Sequence, residues 1–167
     1  PTPGDERNTR PRRDAHTYMV RYVVHVRNSM PPAEAFAYMA DLNNFAEWDP
    51  GVARVTQVDG DGPGPDSSFD VGVKLPGWTM TLRYDTTAFD DASTTMTAFA
   101  ENAWLTSEDT ITVEADRNGS IVTYDAELKL KGLLGLSDPL LRLTFNQIGD
   151  RAAAGLVETL AGERVAG

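Results

Sequence analysis

A chain of 167 residues with 41% apolar and 24% charged side chains has the size and balance of one globular domain, which sets it apart from disordered, collagen-like and membrane-spanning classes. The formal charge of −10, with carboxylates spread along the chain, argues against nucleic acid and anionic membrane surfaces as partners, because both recruit clustered Lys and Arg. No cysteine is present, so disulfides, thiolate metal sites and cysteine nucleophiles are excluded together.

Residues 1–16 carry three prolines and four arginines, Arg7, Arg10, Arg12 and Arg13, nearly neutralised by Asp5, Glu6 and Asp14. They read as a flexible N-terminal extension, with the domain proper over 17–162 and a short tail over 163–167. From Tyr18 to Val26 every second residue is apolar, which predicts a half-buried strand. Ser29-Met30-Pro31-Pro32 then opens a short helix over 33–40, and Asp41-Leu42-Asn43-Asn44 caps a second one through Trp48.

Six further strands are predicted at 52–58, 68–75, 79–89, 94–100, 105–113 and 121–130. The turn formers between them, such as Pro76-Gly77 and Arg117-Asn118-Gly119, allow only short connections, and short connections join antiparallel neighbours. After residue 138 the period changes: Leu141, Phe145, Ile148, Ala152, Leu156 and Leu160 recur at helical spacing behind Asp138-Pro139. The expected fold class is therefore α+β, with a curved antiparallel sheet of about seven strands, two short helices after the first strand and a long C-terminal helix.

Recognisable catalytic sets are missing. His16 lies in the extension and His25 on the Arg-bearing face of the first strand, with no Gly-x-Ser-x-Gly elbow to complete a triad. No ligand-spaced cluster suggests a metal, and the loop from Gly60 to Pro65 lacks the Gly-Lys-Ser/Thr ending of a phosphate cradle. No cofactor and no metal are expected. No run approaches the roughly 20 apolar residues of a membrane span, and the polar start lacks the apolar centre of a secretory signal, so the expected compartment is cytoplasmic.

Alternation places Phe69, Val71, Val73 and Leu75 on one strand face, Met80, Leu82 and Tyr84 on the next, and Leu105, Ser107, Asp109, Ile111 and Val113 on another. The last helix carries small residues through its middle, Gly149, Ala152, Ala153, Ala154 and Gly155. Two arrangements satisfy that pairing: close approach of the helix, or a void that a ligand fills. Asp109 is either a desolvated carboxyl inside or, if a bulge shifts the pleat, an outward one.

The segment Pro32-Ala33-Glu34-Ala35-Phe36-Ala37-Tyr38-Met39-Ala40-Asp41, with Asn44, Trp48, Pro50 and Gly51, resembles the polyketide cyclase/dehydrase and lipid-transport group of the SRPBCC (START and Bet v 1-like) superfamily. Tyr84, Phe89-Asp90, Asp109-Thr110-Ile111, Thr123-Tyr124, Phe145, Gly149-Asp150 and Gly155-Leu156 extend the resemblance over nearly the whole domain. It implies a helix-grip fold with a cavity between sheet and closing helix, and a small hydrophobic ligand such as a lipid, sterol or polyketide. It does not choose between a carrier and an enzyme.

On that basis Phe69, Val71, Leu82, Tyr84, Phe99, Asp109, Tyr124, Phe145 and Ile148 are the expected ligand contacts within the cavity. Trp78 and Trp104 are expected at its mouth and Leu136, in the apolar Gly132-Leu133-Leu134-Gly135-Leu136 stretch, at a gate. Asp109, Tyr84 and Tyr124 are the candidates for proton transfer in a cyclase, dehydratase or isomerase reading. A third reading keeps the fold as an interaction module with a vestigial pocket. Monomer and homodimer are both compatible with the sequence.

Overall fold

Period-two alternation dominates the chain, and the backbone answers it with one curved, eight-stranded antiparallel sheet. The computed structural model describes residues 18–132 and 139–167. Strand β1 (Tyr18–Asn28) leads into α1 (Pro32–Ala40), a 3₁₀ turn (Leu42–Asn44) and α2 (Phe45–Trp48). Strands β2 (Val52–Asp59), β3 (Ser68–Leu75), β4 (Trp78–Asp90), β5 (Thr95–Glu101), β6 (Leu105–Asp116) and β7 (Gly119–Leu130) follow as a meander. Helix α3 (Pro139–Thr159) and strand β8 (Glu163–Val165) close the chain.

The strand order is β2-β3-β4-β5-β6-β7-β1-β8. Consecutive strands pair through short turns, as at Pro76-Gly77, where Gly77 takes φ of 80° after a proline and brings Leu75 opposite Trp78. The first strand is the exception, because β1 returns to pair with β7 over its full length, from Tyr18↔Leu130 to Asn28↔Ser120. The sheet has eight strands rather than about seven. β8 pairs with β1 at only three positions, His25↔Val165 to Arg27↔Glu163, and three residues are too few to display an alternation.

Helix α1 buries Ala35, Phe36, Met39 and Ala40, the i, i+1, i+4 and i+5 positions of one face, and Phe36 meets Phe89 of β4 at 5.4 Å. A bulge between Thr86 and Ala88 in β4 makes that contact: the extra residue re-aims Phe89 inward, opposite Met96. The second half of α3 buries Ala152, Ala153 and Leu156 and packs against β1 and α2, and Leu160 just beyond it is buried as well. Among the described residues no helix is long and apolar enough to cross a membrane.

Candidate functional site

The inward face of β6 carries Leu105, Ser107, Asp109, Ile111 and Val113, all buried. Pairing of β6 with β5 and with β7 runs without a register shift, so the pleat is unbroken and Asp109 faces inward, 4% exposed. That settles the choice between the two orientations open in the sequence. Its cross-strand neighbours are Ala98 on β5 and Ala126 on β7, which are too small to cover a carboxyl.

Hydroxyls cover it instead. Tyr124 donates to Asp109 Oδ2 at 2.9 Å, and Ser107 donates to Oδ1 at 3.2 Å. Burial pushes the Asp109 carboxyl up to about 7, outweighing the two donated hydrogen bonds, which favour its charged form; the charges of Asp49 and Asp125 push in the same direction as burial. The same burial, with the Asp109 charge next in importance, holds the Tyr124 and Tyr84 phenols well above their ordinary value, so the shared proton stays on the tyrosine. Replacing Tyr124 by Phe removes a donor to the carboxylate. The Asp109 carboxyl should therefore titrate higher still in Tyr124→Phe, and an unchanged or lower midpoint for its carboxyl carbon by NMR would contradict the assignment.

Above this cluster lies α2. Asp41 caps the preceding turn by accepting from the Asn43 backbone N–H at 3.1 Å, which sets the direction of a helix only four residues long. Phe45 and Trp48 stack at 4.6 Å, and the Trp48 ring stands edge-on to Tyr124 at 5.0 Å. Phe45 also reaches Tyr84 and Tyr124, each at 6.4 Å. The aromatic pair closes the polar cluster on the side away from the sheet.

Helix α3 makes the close approach that its small residues allow. A Cβ on Gly155 would lie 2.0 Å from the Trp48 carbonyl oxygen, and one on Gly149 would lie 2.3 Å from the Tyr22 ring, so glycine is what lets the helix seat there. Tyr22 donates to Asp150 at 2.8 Å, and the Arg164 guanidinium lies 5.8 Å above its ring. Earlier in the helix Leu143 is 55% and Ile148 44% exposed, while Phe145 is half-buried against the core. On the facing part of the sheet, Val20, Tyr22, Ala126 and Leu128 point inward yet remain half-buried. These half-buried apolar side chains line the inward face of the sheet at its β7–β1 flank, with Asp109 one strand away.

The expected contacts divide accordingly. Asp109, Tyr124 and Tyr84 come together, while Phe69, Val71 and Leu82 sit beside them as fully covered core. Phe145 lies on the underside of α3 and Ile148 on its exposed flank. Trp78 and Trp104, at 60% and 61% exposure, stand outside the cluster at the starts of β4 and β6. Phe99 is a correction: it lies between inward Ala98 and Ala100 and opposes Asp85 and Glu108, so it faces away from the interior. Leu136 lies outside the described residues.

Ser107 was legible two residues before Asp109 on the same face. Phe45 and Trp48 as a cover were not, because their partners Tyr84 and Tyr124 lie 39 to 79 positions on in other strands, and nothing local records the contact. At the middle of α3 the close approach is the arrangement found, since Gly155 seats on the Trp48 backbone of α2. Two surface hollows of about 330 and 400 Å³ lie elsewhere, one beside Phe36 and Phe89, the other beside Arg27 and Asp116.

The sequence profile of the family described as polyketide cyclase / dehydrase and lipid transport matches residues 19–161. The chain belongs to that family. Solved structures agree on the fold. A START superfamily protein from Mycobacterium smegmatis is similar with a TM-score of 0.64 and 15% identity, over 86% of this chain and 97% of that one. The Zhui aromatase/cyclase from Streptomyces sp. R1128 gives 0.62 and 13% over 87% and 92%, and ginseng major latex-like protein 151 from Panax ginseng gives 0.59 and 11% over 81% and 95%. A search of curated proteins gives no match. At these identities the likeness is one of fold, the helix-grip arrangement of a curved antiparallel sheet and a long C-terminal helix.

Proposed function

We propose that this family member binds a small hydrophobic molecule, lipid, sterol or polyketide-like, in the groove between the first half of α3 and the β7–β1 flank of the sheet. The observation that carries the reading is the pairing of half-buried apolar walls with one buried polar cluster: Val20, Ala126 and Leu128 on the floor, Phe145 above, Asp109 and its hydroxyl partners at the edge. Apolar walls supply affinity and a few placed polar groups supply orientation. A carboxyl held by Tyr124 and Ser107 suits a neutral hydroxyl or carbonyl on the ligand better than a second carboxylate, which it would repel.

A second reading is favoured by one property of Asp109. A carboxyl titrating at about 7 is populated in both forms near neutral pH, which is where a group that takes up and returns a proton works best. In a cyclase- or dehydratase-type reaction Asp109 would accept a proton from carbon next to a carbonyl, with Tyr124 or Tyr84 donating to the oxygen where charge develops.

Native mass spectrometry of the protein as purified, followed by organic extraction, tests the binding reading: an apolar molecule should travel with the folded chain. Repeated failure to recover or reload any such molecule would end it. For the second reading, Asp109→Asn should abolish turnover of a reactive poly-β-keto thioester while retaining product binding, and equal turnover in the variant would remove Asp109 from the chemistry.

A further inference from the structure

Tyr18 faces the interior at the start of β1, opposite Leu130 of β7, which in turn pairs with Leu105 of β6. It is 8% exposed, and its hydroxyl oxygen is buried with no hydrogen-bond partner. A phenol in such a place normally finds one, because an unmade buried hydrogen bond is costly. The other orphan hydroxyl among the described residues, on Thr86 of β4, lies across Ala98 from Asp109, three strands away from β7. Tyr18 differs: the next two inward residues of its strand are Val20 and Tyr22, both half-buried groove residues.

We propose that the Tyr18 hydroxyl is a second polar anchor of the groove, and that the ligand is an elongated apolar molecule with a hydrogen-bonding oxygen near each end. The spacing follows from the register. Tyr18 stands in the cross-strand row of Leu130 and Leu105, and Asp109 in the row of Ala126 and Tyr22, four residues further along. Four residues of strand span about 13 Å, the length of several fused rings, and the side chains between on β1 and β7, Val20 and Leu128, are apolar. One end of the ligand meets Asp109 and Tyr124, the other meets Tyr18, and Val20 and Leu128 pack along its middle. The inference rests on the groove reading given above and adds the ligand's length and its second oxygen.

The test uses estradiol, a rigid tetracycle with one hydroxyl at each end, together with its two monodeoxy analogues, titrated calorimetrically into the full chain and into Tyr18→Phe. The unpartnered phenol gives the free protein nothing to lose, so the variant should melt at or above the wild-type temperature. Estradiol should bind Tyr18→Phe about tenfold more weakly, the value of one neutral hydrogen bond. The analogue lacking the hydroxyl that meets Tyr18 should bind both proteins alike. Equal estradiol affinity in the two proteins, or the same loss for estradiol and both analogues, overturns the anchor and leaves the groove standing. Absence of binding by all three probes to the wild-type chain counts against the groove itself and removes the anchor with it.

Discussion

Asp109→Asn is expected to stabilise the protein at pH 8 and to leave it nearly unchanged at pH 4. In the unfolded chain the carboxyl titrates near its ordinary value of 3.8, whereas burial raises it to about 7 in the fold. Between those values the native state holds a proton that the unfolded state has lost, so the stability of the wild type falls as pH rises through that window and levels off above it. Three units correspond to about 4 kcal/mol. Asparagine keeps an oxygen for Tyr124 and offers its amide to Ser107, but it has no charge to desolvate. Asp49, also raised chiefly by burial, gives a slope of the same sign that persists in the variant. Urea denaturation of both proteins at several pH values measures the difference; parallel curves from pH 4 to 8 would show that the carboxyl is not desolvated. A buried group that costs stability at neutral pH is a candidate functional residue.

The second large effect is expected at Trp48, which is 1% exposed and touches Phe45, Tyr124 and, through its backbone, Gly155. Truncation to alanine removes a buried ring and leaves a hollow under α2, at a cost of about 4 kcal/mol in unfolding free energy. The same hollow admits water to the polar cluster. The carboxyl of Asp109 should therefore titrate lower in Trp48→Ala, moving toward its ordinary range as the burial that raised it is relieved. If the alanine variant proves too unstable, Trp48→Phe should show the same direction with a smaller loss. An unshifted Asp109 titration in a folded variant would mean that some other element provides the cover.

Particular residues show where the sequence was sufficient. The inward positions of β1 and β6 follow from alternation alone, because a strand with one buried face has only one register that hides Val24, Val26, Ile111 and Val113 together. Asp109 was placed on the apolar face of its strand by the same counting. Phe99 faces outward because small Ala98 and Ala100 take the inward positions of β5 and the larger ring takes the outer one. Trp78 and Trp104 carry no periodic signal at strand ends, so their exposure had to be observed. The bulge after Thr86 was invisible for a related reason, since one extra residue in a strand leaves no mark in composition.

By itself, the sequence of this protein determined the order of its elements, the inward sets of its strands and the start of the long helix at Pro139, because periodicity and turn chemistry act within a few residues. Only the tertiary structure decided that α2 roofs the Asp109 cluster, that α3 seats at Gly149 and Gly155, and that the C-terminal residues pair with β1. Those outcomes depend on contacts between segments dozens of residues apart, where the fit of one surface on another, and no local preference, sets the free energy.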